Sequence, residues 1–474
     1  MTKVRTRFAP SPTGFLHIGG LRTALYEYAF AKSQQGKFIL RIEDTDRRRF
    51  VPGATEKLYE MLKLFKLNWD EGPLVGGPYS PYIQSERASL GIYQKYADQL
   101  LAENHAYYCF CATAGLEKIE KVHKQKKSIM RDPCRNLDLK ESQKRIKKGE
   151  KAAIRLQIPD KGQVGFYDFI RQKQISWQTK DIDEVTLLKS DGFPTYHLAV
   201  VVDDALMRIS HILRAHEWLP STPVHLLLFQ YLNFPVPQIG HFTVILDPKG
   251  GKLSKRKGSV ACEEFLAEGY LPEAILNFVM LLGWAPKDNR ELFTLDEFVN
   301  SFQKGDLQTA NPIFNRGKLD WFNGVYIRKT QNSNLKTQIH KFYQKKYPRE
   351  LIEKTIPLVK TRINKLSDYW SLCSFFFEEP ELNGSLFNRE KDFLYLKKSL
   401  ISLISLKSWR KEKIEKVLHD LIIKEGWQTG DFFMAFRLAL TGNRITPPIT
   451  DSAAILGQET TLVRLKKSIK LLGS

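Results

Sequence analysis

The chain has 474 residues, 42% of them hydrophobic and 12% aromatic, so it can bury several cores and should divide into about three to five domains; a disordered tail or a minimal binding module is excluded. A net charge of +21 attracts a polyanion and favours a nucleic-acid partner, although a lysine-rich genome would give the same count. The longest apolar runs, Leu198–Val202 and the stretch around Leu226–Phe229, fall far short of a bilayer span, so no membrane role is expected.

Met1–Arg5 lead straight into a strand-like segment, which leaves no room for a cleavable signal or presequence, and a cytoplasmic protein is expected. Val4–Ala9 reads as a short strand that must end at Pro10-Ser11-Pro12-Thr13-Gly14. From Gly19 to Ala31, Leu21, Leu25, Tyr28 and Ala29 recur at helical spacing, and Lys37–Ile42 returns to a strand pattern. This βαβ opening argues for a parallel sheet. Residues 89–195 differ in character, being rich in lysine with short β-like runs such as Ala152–Ile158, and read as an insertion that splits the sheet. A second α/β stretch appears around Val185–Leu188, Tyr196–Val202 and a helix over Pro220–Tyr231.

Beyond about residue 330 the pattern is helical, with Ile352, Ile356, Val359, Ile363, Leu366, Trp370 and Cys373 stepping by four and three as a core-facing stripe. Lys354, Lys360, Arg362 and Lys365 fall on the opposite face, which suits either solvent or RNA. Residues 111–150 carry 12 Lys/Arg against 6 Asp/Glu and residues 331–474 carry 25 against 15, so these segments hold 16 of the 21 excess charges. The five cysteines, Cys109, Cys111, Cys134, Cys262 and Cys373, are too few for a disulfide scaffold at this length and fit a reducing compartment.

Two constellations carry chemistry. In Arg7-Phe8-Ala9-Pro10-Ser11-Pro12-Thr13-Gly14-Phe15-Leu16-His17-Ile18-Gly19-Gly20, a strand ends in a rigid turn and delivers His17 and Gly19 to a helix N-terminus, where N–H groups and the helix dipole favour a phosphate. A glycine there lets a ribose or adenine lie against the backbone, and His17 can donate to phosphate oxygens; a purely structural turn is the other reading. In Gly250-Gly251-Lys252-Leu253-Ser254-Lys255-Arg256-Lys257-Gly258, four cations in six positions repel one another unless a dense anion binds, and the glycines make a loop able to close over it. A G-x-x-x-x-G-K-[ST] phosphate loop is excluded, because Leu253 follows Lys252 and Leu246 stands where the first glycine belongs; a plain basic surface loop remains.

Together the two motifs resemble the HIGH and KMSKS signatures of class I aminoacyl-tRNA synthetases, here His17-Ile18-Gly19-Gly20 and Lys252-Leu253-Ser254-Lys255-Arg256. Arg41-Ile42-Glu43-Asp44-Thr45-Asp46-Arg47 is similar to the motif of the bacterial glutamyl branch, as are Asp70-Glu71-Gly72-Pro73, Gln84-Ser85-Glu86-Arg87, the run Leu188–Tyr196, Val201-Val202-Asp203-Asp204 and Leu438-Ala439-Leu440-Thr441-Gly442. The resemblance implies an α/β Rossmann-type catalytic domain in two halves, 1–88 and 196–235, split by an acceptor-stem-binding insertion at 89–195. A stem-contact domain bearing the cationic loop would follow at 236–330, and an all-α anticodon-binding region at 331–474.

It further implies that glutamate attacks the α-phosphate of ATP, with Mg²⁺ present, and that the acyl group passes to the terminal adenosine of tRNA(Glu), with tRNA(Gln) left open as a second acceptor. His17, Gly19, Lys252 and Lys255 would be catalytic, and Gly20, Glu217, Trp218 and Ser254 would join them around ATP. Arg7, Tyr196 and Arg214 would take the carboxylates of glutamate, while Glu43 with Ser11 takes the ammonium; His197 or Val200 stands where some relatives place Asn. A monomer is expected.

Cys109-x-Cys111 with Cys134 resembles a zinc site of the insertion in some bacterial relatives. Its fourth ligand is not evident: Met130 and Asn136 occupy the places where relatives supply one, His123 is the nearest candidate, and buried cysteines without zinc are the other reading. Three rivals are weaker. A non-catalytic RNA-binding protein does not need His17, Lys255, Glu43 and Arg214 together; a base-modifying paralogue lacks the C-terminal region; and glutaminyl enzymes have β-barrels where this chain has the stripe from Ile352 to Cys373.

Overall fold

The computed structural model describes residues 3–46, 49–111, 132–253 and 260–473. They form two compact units, one of Met1–Glu264 with Leu276–Asn315 and the other of Phe265–Ile275 with Arg316–Ser474.

In the first unit, β1 (Arg5–Phe8) and β2 (Lys37–Leu40) pair in parallel, with Arg5 opposite Lys37 and Phe8 opposite Leu40. Parallel neighbours need a crossover, and α1 (Ile18–Ser33) supplies it, burying Leu21, Ala24, Leu25 and Phe30. The expected βαβ opening is therefore present. Residues 89–195, the expected insertion, contribute β3 (Ala106–Cys109), β4 (Ala153–Leu156), a hairpin of β5 (Gln163–Asp168) and β6 (Lys173–Gln178), and β7 (Thr186–Leu188). These strands are antiparallel, ordered β3-β4-β7 in one sheet and β5-β6 in the other. A second parallel pair follows, β8 (His211–Ala215) with β9 (Gln238–Phe242), and Ser210 N donates to Arg5 O at 3.0 Å, which brings β8 beside β1. Ile154, Leu156 and Leu187 of the insertion share one core with Leu198 and Val202 of the helix Tyr196–Leu206 and with Leu228 and Phe229 of the helix Thr222–Tyr231.

Several family-like motifs serve as buried electrostatic scaffolding. Asp203 and Asp204 sit side by side in the otherwise apolar helix Tyr196–Leu206, and a carboxylate without partners there would be costly. Asp203 accepts from Gln84 Nε2 (2.9 Å), Arg87 Nε (2.6 Å) and the Tyr93 hydroxyl (2.9 Å). Asp44 accepts from Ser85 N at 2.8 Å and from its hydroxyl at 2.5 Å, tying the segment after β2 to the helix Gln84–Ser89. Glu71 takes a bidentate pair from Arg5, at 2.7 and 2.8 Å, with the Tyr82 hydroxyl at 2.9 Å.

The second unit is helical throughout its described residues, with one core around Ile352, Ile356 and Tyr369 and another around Leu396, Leu418 and Phe436. The stripe is buried at Ile352, Ile356, Val359, Ile363, Leu366 and Cys373, but Trp370 is half-buried and Tyr369 takes the interior place. One continuous helix does not run through it. Arg349–Val359 ends, Asp368 accepts from the backbone N–H groups of Asn364 and Lys365 at 2.9 and 2.8 Å, and a new helix starts at Asp368–Cys373 in shifted phase. Of the cations assigned to the outer face, Lys354 is exposed, while Arg362 donates to Thr446 O at 2.8 Å and so is partly a structural residue. Among the described residues no helix is long and apolar enough to cross a membrane.

Candidate active site

The turn after β1 and the start of α1 form one wall of a cleft of about 620 Å³. It is lined by Arg7, Ser11, His17, Gly19, Gly20, Glu43, Tyr196, Arg214, Glu217, Trp218 and Lys252, all of the described residues singled out in sequence for ATP or glutamate. Ser254 and Lys255 lie outside the described residues, but both flanks of their segment are in place, because Leu253 and Val260 line the same cleft. Val260 O accepts from Ile18 N at 2.9 Å and Cys262 N donates to Leu16 O at 2.8 Å, so the chain leaving the cationic segment is stitched to the helix start. On the other side, Leu253 N donates to Ile245 O at 2.9 Å and Leu246 bridges Lys252. Gly250 and Gly251 take φ of +94° and +77°, left-handed values that favour glycine, and let the chain reverse between them. The described flanks of the second motif, Lys252-Leu253 and Val260, thus line the same cleft as the first motif, more than two hundred residues earlier.

The helix start offers fewer open donors than its sequence suggests. His17 is the N-cap of α1 and its Nδ1 accepts from Gly20 N at 3.0 Å, while Ile18 N is taken by Val260. What the cap provides instead is a ring in fixed orientation: with Nδ1 accepting, a neutral His17 carries its proton on Nε2. A Cβ on Gly19 would meet that ring at 3.1 and 3.2 Å, so a side chain there would crowd His17. Lys252 donates to Glu217 at 2.5 Å, and both side chains are more than half exposed, so the pair is weak and easily exchanged for a phosphate contact.

Arg7 and Arg214, which line the cleft, and Arg41, buried behind it, differ in company. Arg7 donates to both carboxylate oxygens of Asp204, at 3.1 and 3.3 Å, and lies 3.5 Å from Glu27. Arg41, fully buried, donates to Asp204 at 2.7 Å and to Glu43 at 3.0 Å. Burial pushes the Asp204 carboxyl up, but Arg41 and Arg7 outweigh it and hold Asp204 below the usual carboxylate range. Glu43 goes the other way, since burial raises it more than Arg41 and Arg7 lower it. Burial also pushes the Tyr196 hydroxyl up to about 12, keeping it a neutral donor, and its ring packs on Trp218 with centroids 4.3 Å apart. Arg214 bonds to neutral groups: Nε donates to His241 Nε2 (3.0 Å), Nη1 to His225 Nδ1 (3.1 Å) and Nη2 to the Thr222 hydroxyl (2.7 Å), and the Tyr196 hydroxyl interacts with it as well.

Sequence reasoning missed the partners of these arginines. Asp204, two acidic residues deep in an apolar helix, carried a readable signal as a buried charge that needs a cation; His225 and His241 carried none, since each resembles a core histidine.

A second constellation lies at the end of β3. Cys109, Cys111, Cys134 and Asp132 place three sulfurs and a carboxylate oxygen within 4.8 Å of one another. Asp132 Oδ2 accepts from the Cys109 thiol at 2.7 Å, and the sulfurs of Cys111 and Cys134 are 3.8 Å apart. Three thiols and one carboxylate are a donor set that suits tetrahedral zinc. Asp132, which the sequence did not single out, stands fourth in this group, whereas Asn136 is exposed and Met130 and His123 lie outside the described residues. Its signal, an Asp two positions before Cys134, is short and common.

Residues 3–321 match the family of class I tRNA synthetases (E and Q), catalytic domain, and residues 333–469 match an anticodon binding domain. The glutamate–tRNA ligase of Borreliella burgdorferi is 41% identical over 98% of this chain and 97% of its own length, and that of Finegoldia magna is 39% identical over 99% and 100%. Among solved structures, a glutamate tRNA ligase from Elizabethkingia meningosepticum, in complex with its amino acid, superposes with a TM-score of 0.87 at 34% identity over 99% of this chain and 100% of that one. The glutamate-tRNA synthetase of Elizabethkingia anophelis gives 0.86 at 35% over the same shares. With a class I catalytic-domain match over residues 3–321 and relatives that match along its whole length, the chain belongs to the glutamate–tRNA ligases, class I aminoacyl-tRNA synthetases.

Proposed function

We propose that this chain ligates L-glutamate to tRNA(Glu) for protein synthesis, first forming glutamyl-adenylate from ATP with release of pyrophosphate, then passing the glutamyl group to the 3′-terminal adenosine. The observation that carries this is the convergence of His17, Gly19 and the flanks of the cationic loop on the cleft that also holds Arg7, Glu43, Tyr196 and Arg214. The chemistry is positioning and charge stabilisation rather than covalent catalysis. His17 donates from Nε2 to phosphate oxygens, Gly19 and Gly20 let the nucleoside lie against the backbone, and Glu217 and Trp218 flank it. Lys252 exchanges Glu217 for phosphate, and Lys255, with Ser254, balances the charge of departing pyrophosphate. Mg²⁺ bound with ATP supplies further neutralisation of the phosphates.

Arg7, Tyr196 and Arg214 hold the carboxylates of glutamate, and Glu43, assisted by Ser11, holds its ammonium. Residues 89–195 contact the acceptor stem, residues 331–474 read the anticodon, and the enzyme works as a cytoplasmic monomer. The test is charging with purified protein, ATP, glutamate and either tRNA(Glu) or tRNA(Gln). Glutamyl-tRNA(Glu) is the expected product; no product with glutamate, or product only with glutamine, would end this reading. The tRNA(Gln) arm decides whether the acceptor choice is strict.

The Cys109, Cys111, Asp132 and Cys134 group is proposed to hold one zinc ion, which would tie the end of β3 to the turn Pro133–Asn136. Elemental analysis of the purified chain should give one zinc per molecule. In Asp132→Ala, zinc affinity should fall by more than the roughly ten- to hundredfold typical of residues one step removed from a metal. A native chain that takes up no zinc on titration, or an alanine variant that binds it unchanged, would remove Asp132 from the ligand set.

A further inference from the structure

Arg214 is buried, yet among the described residues it forms no salt bridge, whereas Arg7 and Arg41 share Asp204 and each has a glutamate besides. Its three named partners, His241, His225 and Thr222, are uncharged acceptors when the histidines are neutral. The proton positions follow from the bonds. His241 accepts at Nε2, so its proton sits on Nδ1, which faces Asp168 Oδ2 at 2.7 Å. His225 accepts at Nδ1, so its proton sits on Nε2, 3.2 Å from His197 Nδ1. Asp168 itself is fully buried at the end of β5, where Oδ1 accepts from the backbone N–H groups of Ile170 (3.1 Å), Arg171 (2.9 Å) and His241 (3.2 Å). Neutrality is consistent with the surroundings: burial, then the Arg214 charge, brings His197 to about 4 and His225 well below its ordinary value, and burial brings His241 to about 4 against the pull of Asp168.

We infer that Asp168 and His241 are positioning residues for glutamate specificity: Asp168 fixes the tautomer of His241, His241 fixes the Arg214 fork, and the neutral cradle leaves the Arg214 charge to be matched by the substrate's side-chain carboxylate. The inference rests on the reading that Arg214 binds glutamate. A carboxylate partner in place of His241 would neutralise the guanidinium before substrate arrives, and glutamine, isosteric but uncharged, would then be accepted nearly as well. With neutral acceptors, binding glutamine leaves a buried cation without an anion, which acts against the wrong substrate.

Asp168→Asn tests this at constant shape. Three backbone N–H groups hold the Asn oxygen at the Oδ1 place, so its amide N–H₂ faces His241 Nδ1 and forces the proton to Nε2, directly opposite the Arg214 Nε–H. The expected result is a rise in the KM for glutamate, and a fall in glutamate-over-glutamine preference, of roughly ten- to a hundredfold, with the KM for ATP little changed. In a His241→Gln background, where the amide oxygen can face Arg214 whatever stands at 168, adding Asp168→Asn should cost little more, a non-additivity that a merely structural role would not give. Arg214→Ala separates the two levels. If it leaves the glutamate KM unchanged, the underlying reading fails; if it raises that KM while Asp168→Asn does not, only the cradle inference fails. Independently of whether the variants fold, ¹⁵N shifts of the His241 ring in the wild-type enzyme should report the Nδ1–H tautomer, and the Nε2–H form would overturn the inference.

Discussion

Lys255→Ala is expected to slow glutamate-dependent activation of ATP by roughly a hundred- to a thousandfold, the loss typical of removing one preorganised group that meets charge developing in a transition state. Residue 255 lies outside the described residues, but its neighbours on both sides are in place. Leu253 is bonded to Ile245, Val260 to Ile18, and both line the cleft with His17. Connectivity alone keeps Lys255 within roughly 7 Å of Leu253, measured between Cα atoms. Four cations within six positions repel one another until a polyanion joins them, so the lysine's attraction is strongest when pyrophosphate is leaving. Single-turnover adenylate formation should show the drop, and a thermal melt should show little change. A variant with full activation rate would remove Lys255 from the mechanism.

Asp204→Asn should have the largest effect on stability, a loss of about 3–5 kcal/mol, because it leaves Arg7 and Arg41 buried with one anionic partner fewer each. Arg41 retains Glu43 and, at a longer 3.8 Å, Asp203, and Arg7 retains Glu27 at 3.5 Å, but burial raises both glutamates and Asp203 is already bonded to Gln84, Arg87 and Tyr93, so none is a full substitute for Asp204. Glutamate binding should weaken as well, since Arg7 loses the two bonds that hold its plane. Urea denaturation followed by tryptophan fluorescence measures the first effect and the KM for glutamate the second. Unchanged unfolding would mean that Asp204 does not anchor the site.

How much of this was legible in the sequence depends on how far apart the cooperating residues lie. The βαβ opening could be read because a Pro/Gly turn and two periodicities mark it locally. The stripe from Ile352 could be read as buried but not as interrupted: its break is set by Asp368 capping Asn364 and Lys365, which shifts the phase so that Tyr369 replaces Trp370 in the core. At the site, His17, Gly19, Glu43 and Arg214 stand in recognisable motifs. Asp168 and His241 do not, being 73 positions apart and meeting only where β5 and β9, strands of two separate sheets, come side by side. Asp132 was hidden for a different reason, since a carboxylate beside a cysteine acquires meaning only when Cys109 and Cys111 fold back onto it.

The central claim is that the turn and helix start around His17 and the loop around Lys252 act on one triphosphate. Amide hydrogen exchange with and without ATP and Mg²⁺ tests it most directly. The account predicts that ATP slows exchange in peptides covering residues 15–21 and residues 246–262 together, with one saturation curve; protection of only one of these segments, or two different saturation curves, would contradict it.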